Sequence, residues 1–240
     1  MPLDTLVLLP GLDGTGALFA DLISALPPTL KVKIARYPTD CFLPYSDLAA
    51  RVSEMLPTSN RFLLIAESFS TPLAAKVAAT QPHNLAGLVM SAGFVTNPLR
   101  RCRRLATALA RPRLFLFSPP RFVLGYFLIG SDPPKGLADG VRQTLRLVNP
   151  QVLSERVQAV LNCDAREDLS RVQVPLMYIQ AEADRLVRAE CFSEIQRLRP
   201  GARFVSVRAP HLLFQTEPQK ASELIMGFVR QLECGSPDPA

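Results

Sequence analysis

The chain has 240 residues, enough for one large domain or two small ones, and 48% of them are hydrophobic, enough for a sizeable core. Five cysteines without a CxxC pair suggest neither a disulfide framework nor a zinc site and read as reduced thiols. The net charge of +6 is concentrated in one segment: residues 98–163 hold eleven Lys and Arg against three Asp and Glu, while the rest holds sixteen against eighteen. That distribution argues against a whole-surface nucleic-acid binder.

Strands are predicted at 5–10, 30–37, 62–66, 85–91, 176–181 and 203–207, and helices near 17–26, 46–57, 71–80, 189–198 and 217–232. The strands are near-continuously apolar rather than alternating, which fits a mostly parallel sheet of about six strands covered by helices on both faces, an α/β architecture. The first apolar run reads as a strand rather than a signal sequence, and no apolar stretch reaches the ~18 residues of a membrane span. The expected location is therefore cytoplasmic. Thr216-Glu217-Pro218-Gln219 offers a capping threonine for the last helix. The alternation fails once, between residues 91 and 174, where a basic, apolar and helix-forming segment is expected to fold as a cap over the sheet. The expected division is a core of 1–95 and 166–234, a cap of 96–165, and a disordered tail of 235–240.

The predicted third strand ends in Ala66-Glu67-Ser68-Phe69-Ser70-Thr71-Pro72. A serine between small residues, followed by a proline suited to a first helical turn, is the pattern of a strand-to-helix nucleophile elbow. Serine needs a base, and the base needs an orienting group. The chain has two histidines. His211 falls on the loop after the last strand, at the carboxyl end of the sheet where ligands bind. His83 falls in a turn at the opposite edge and reads as a surface residue. Asp184, just past the fifth strand, is the candidate partner acid, with Glu182 as fallback. Asp164 and Asp168 precede that strand and read as capping or surface charges.

An oxyanion needs donors. The N–H of Phe69 is one candidate, and that of Leu12 in Pro10-Gly11-Leu12-Asp13-Gly14-Thr15-Gly16 is the other. The alternative of a phosphate-cradling loop lacks both GxGxxG spacing and a following GK[ST].

With PGLDGTG at 10–16, AESFS at 66–70, AEADRLV at 181–187 and APHLLFQTEP at 209–218, the chain resembles serine hydrolases of the α/β-hydrolase superfamily over residues 5–233. The resemblance implies a nucleophile at Ser68, a base at His211 and its partner at Asp184. It also implies an oxyanion hole from Leu12 and Phe69, and ester chemistry without cofactor or metal. The family's first two antiparallel strands are expected to be missing, and Ala66 and Ser70 stand where it has glycines. The Leu12 loop is also similar to that of plant phytyl ester synthases, which are acyltransferases on this fold.

In the cap, Phe117, Phe122, Tyr126 and Phe127 either line an acyl pocket or pack the cap onto the core. Arg100, Arg101, Arg103, Arg104, Arg111 and Arg113 either form a solvated face or meet an acidic carrier protein or an anionic lipid surface. Pimeloyl-carrier-protein methyl ester esterases, on the same fold, resemble this chain in having basic caps. Glu67 either faces the basic cap or pairs with another cation. The expected reading is an esterase acting on a small-molecule ester, monomeric or weakly dimeric. Acyl transfer or thioester cleavage is the near alternative, and ligand binding without catalysis the remote one.

Overall fold

Six apolar runs form six strands in the computed structural model, which describes residues 3–100 and 103–234. Arg101, Cys102 and the tail 235–240 lie outside the described residues. The strands are β1 (Leu3–Leu9), β2 (Lys31–Ile34), β3 (Arg61–Glu67), β4 (Leu85–Ser91), β5 (Leu176–Ala181) and β6 (Arg203–Val207). They pair in the order β2-β1-β3-β4-β5-β6, and every pairing is parallel.

Alternate residues along each strand feed two cores. Leu6, Leu8, Leu63, Ile65, Val89, Met177 and Ile179 face one side of the sheet, where they pack with Phe214, Ile225 and Phe228. Val7, Leu9, Leu64, Ala66, Met90 and Tyr178 face the other, with Val52, Leu73 and Val77. Both faces are apolar because helices cover both. One side carries α1 (Ala20–Ala25) and the long C-terminal helix Pro218–Cys234; the other carries α2 (Tyr45–Met55) and α3 (Thr71–Ala79).

The edge strand β2 is shorter than its apolar run. It alternates exposed Lys31 and Lys33 with half-buried Val32 and Ile34, as suits an edge exposed to solvent. The chain then leaves the ladder, because the Tyr37 N–H is taken by Gly14 O at 2.8 Å rather than by β1.

Between β4 and β5 the described residues form the helices α4 (Arg103–Leu109), α5 (Pro112–Phe115), α6 (Arg121–Leu124) with a π-turn at Gly125–Ile129, α7 (Leu137–Arg146), α8 (Pro150–Leu161) and α9 (Arg166–Arg171). Asn149 caps α8 by accepting the Gln151 N–H at 2.9 Å. The two ends of the insertion meet at its neck, where Thr96 bridges Asp164 and Ala165 N–H donates to Val95 O at 2.7 Å. α9 returns to the core, where Asp168 pairs with Lys76 of α3 at 3.0 Å.

After β5 come α10 (Ala189–Leu198), then β6, α11 (Leu213–Thr216) and α12 (Pro218–Cys234). Thr216 does not cap α12. It ends α11, and its hydroxyl donates back to Leu212 O at 2.9 Å. Among the described residues no helix is long and apolar enough to cross a membrane, and no three His, Cys, Asp or Glu cluster as metal ligands.

Candidate active site

β3 delivers Ser68 to the carboxyl edge of the sheet on a turn so tight that its φ is +49°. A non-glycine residue in that region costs about 1–3 kcal/mol, which the packing of β3 against α3 must offset. The turn brings Ser68 Oγ to 2.8 Å from His211 Nε2, and His211 Nδ1 lies 2.7 Å from Asp184 Oδ2. Asp184 Oδ1 accepts the N–H groups of Leu186 and Val187 at 2.8 and 2.9 Å, which fixes the carboxylate. With Asp184 Oδ2 as the acceptor, Nδ1 is the protonated nitrogen and Nε2 is left free to accept from Ser68. Glu182 is exposed and takes no part, and His83 is exposed in the turn before β4.

His211 is buried, and desolvation draws its pKa down. The charge and hydrogen bond of Asp184, together with the charge of Glu67, outweigh that effect, so the net direction is upward from 6.5. Glu67 is 2% exposed, and its hydrogen bond is to Gln215 rather than to an arginine of the insertion. Its Oε2 accepts from Gln215 Nε2 at 3.1 Å, and its Oε1 has no partner. Burial pushes its pKa up to about 7, helped by Asp13 and opposed by Gln215 and His211.

Leu12 and Phe69 line the same cavity as Ser68. The two loops that carry them are joined below the cavity by Ser70, which is 0% exposed. Its hydroxyl donates to Pro10 O, so Tyr37 OH, 2.6 Å away, must donate to Ser70 Oγ. A glycine at 70 would lack this bridge. Tyr45 OH donates to Phe69 O at 2.9 Å, and the two rings stack at 5.1 Å. Gly14 and Gly16 hold positive φ, at +70° and +73°, and a side chain on either would collide with Arg156 and Ile34 respectively.

No motif in the sequence singles out Arg156. It lies in α8, only 2% exposed, with its guanidinium against the Leu12 loop. An arginine inside an amphipathic helical pattern reads as solvent-facing; only the fold reveals that the carbonyls it meets come from residues 12, 13 and 38.

The cavity over Ser68 has a volume of about 570 Å³ and is mostly apolar, walled by Leu114–Phe117, Val141, Leu145, Leu153 and Leu186. Of the four aromatic side chains expected to line it, Phe117 alone does so, at a rim that leaves it 75% exposed. Phe122 and Tyr126 line a separate cleft with Arg121 and Arg185, where the Arg185 guanidinium sits 4.1 Å from the Tyr126 ring centre. Phe127 lines a third, which shares Pro98, Leu99, Phe115, Val157 and Leu186 with the Ser68 cavity. The π-turn at 125–129 leaves Tyr126 and Phe127 exposed, while Leu128 and Ile129 pack inward. Arg103, Arg104, Arg111 and Arg113 are exposed, and Arg100 pairs with Glu194 at 3.0 Å.

No family model matches the chain. It is 25% identical over 246 residues to polyketide synthase ThaQ of Burkholderia thailandensis; the match takes in 93% of this chain and 12% of that much longer protein. Among solved structures, a hydrolase from Oleispira antarctica superposes with a TM-score of 0.82 at 15% identity, over 95% of this chain and 91% of that one. Esterase EaEST from Exiguobacterium antarcticum gives 0.79 at 15% identity, covering 95% and 92%. A thermophilic esterase from Thermogutta terrifontis gives 0.79 at 16%, covering 95% and 90%.

Proposed function

Given that the chain has the α/β-hydrolase fold, we propose that it is a serine hydrolase that cleaves carboxylic esters of apolar acyl groups through an acyl-enzyme. The observation that carries this reading is the chain of short contacts Ser68–His211–Asp184, at 2.8 and 2.7 Å, opening into an apolar cavity. Ser68 Oγ attacks the carbonyl carbon as His211 Nε2 takes its proton, and Asp184 stabilises the imidazolium. The tetrahedral oxygen accepts from the N–H groups of Leu12 and Phe69, each worth ~10²–10³ in rate. Collapse expels the alcohol, protonated by His211. Water, deprotonated by the same imidazole, then releases the acid. No step calls for a cofactor. On this reading residues 96–165 act as the lid of the acyl site, set over a core of 1–95 and 166–234.

A second reading is supported by the similarity to part of a polyketide synthase. On that reading the acyl group arrives as a thioester on an acidic carrier protein. The third cleft, beside the acyl cavity, carries Arg100, Arg185, Arg188 and Arg197 against Glu190 and Glu194, an excess of positive charge suited to an anionic arm. An anionic lipid surface is the competing partner, and a preference for acidic vesicles over a carrier-bound acyl thioester would select it.

The test of the first reading is labelling by a fluorophosphonate followed by peptide mapping. Modification at Ser68, abolished in Ser68→Ala and strongly slowed in His211→Ala, is the expected result. An unlabelled wild type would reduce the site to ligand binding.

A further inference from the structure

Residues 11–14 form a tight turn closed by Gly14 N–H donating to Gly11 O at 3.1 Å. Gly11 C=O and Leu12 N–H belong to one trans peptide unit, so a carbonyl held inside the turn sends the Leu12 N–H the opposite way. The next two carbonyls, of Leu12 and Asp13, both accept from Arg156 Nη1, at 2.9 and 2.7 Å. Arg156 Nη2 donates to Pro38 O at 2.8 Å, and the guanidinium lies 5.7 and 6.0 Å from the ring centres of Tyr37 and Phe69.

A buried cation without an ion-paired carboxylate is costly unless its donors are well placed. Here the donors are spent on backbone carbonyls, two in the turn and one at Pro38. The charge of Asp13 acts on Arg156, but Asp13 Oδ2 is itself bonded to Thr15. Gly14 makes the approach possible, since a Cβ there would sit 2.7 Å from Arg156 Nη1.

We propose that Arg156 is the positioning residue of the oxyanion turn: reaching from the insertion into the core, it fixes the Leu12–Asp13 peptide and thereby the aim of the Leu12 N–H. The inference rests on the serine-hydrolase reading of the site. It gives the insertion a part in turnover as well as in covering the cavity. Rotating the Leu12–Asp13 peptide would break its bond to Arg156 and disturb the neighbouring unit that carries the donor. Lysine, a point charge, cannot hold the turn and the Pro38 carbonyl together as the planar fork does.

The experiment compares wild type with Arg156→Lys and Arg156→Ala for kcat and KM on a short p-nitrophenyl ester, for the rate of fluorophosphonate labelling, and for thermal melting. The expected kcat loss is about tenfold in R156K and up to ~10² in R156A, with KM little changed and labelling slowed in parallel. Added guanidinium should recover part of the rate in R156A. If R156A fails to fold, R156K decides. R156K turning over as fast as wild type, or a loss that only tracks a lowered melting temperature and ignores guanidinium, overturns the proposal. A wild type that resists the phosphonate sinks the reading of the site and this inference with it.

Discussion

Glu67 and His211 share a buried field next to the nucleophile, and this makes the pH response of the site specific. On the proposed mechanism His211 acts as a base only when neutral, so activity falls as pH drops through its pKa, which Asp184 and Glu67 together raise above 6.5. Glu67→Gln removes one of these charges and keeps the shape. The acid limb of the kcat/KM profile should therefore move to lower pH, and an unmoved limb would show that Glu67 does not reach the imidazole. Glu67 also links stability to pH. Its folded pKa of about 7 exceeds the ordinary 4.5, so its contribution is full below pH 4.5 and is lost as pH rises to about 7. The loss is on the order of 3 kcal/mol. Melting curves should show Glu67→Gln gaining on wild type between those pH values and holding its advantage above them.

At the scale of elements, the strand-to-helix elbow and the turn after β1 act as a pair joined by Ser70. Ser70→Ala leaves Pro10 O and Tyr37 OH buried with lost partners, which costs about 1–3 kcal/mol by denaturant unfolding. Ser70→Gly should cost at least as much despite restoring the commoner residue; a stabilised glycine variant would contradict this. Much of this architecture was legible in advance. The runs that became β4, β5 and β6 are apolar strands whose ends are marked by turn residues, and Ser68, Asp184 and His211 each follow a strand in the order the resemblance implied. What the sequence hid was tertiary. Tyr37 reads as strand until Gly14 O takes its N–H, and Thr216 reads as a cap until α11 claims its hydroxyl. Arg156 reads as surface until the fold surrounds it with carbonyls.

For the whole molecule, the insertion is least legible because its helices are short and its aromatic residues look equally suited to packing, pocket or surface. Tyr126, 57% exposed, shows the difficulty: residue type alone does not say which way the π-turn sends a side chain. The cavity wall gives a direct handle on substrate length. Leu153 of α8 faces the Ser68 cavity, and Leu153→Trp should fill part of its volume and shift the preferred ester toward shorter acyl chains. Phe122→Ala, in the separate cleft, should leave that preference unchanged.

On the proposed function, Ser68 turns over esters through this cavity. The most direct measurement is steady-state hydrolysis of a chain-length series of p-nitrophenyl esters by wild type and Ser68→Ala. The expected result is turnover by the wild type with an optimum at an apolar chain the cavity can hold, and a loss of at least ~10³-fold in the variant. Equal rates in the two proteins, or no hydrolysis of any ester by the wild type, would contradict it.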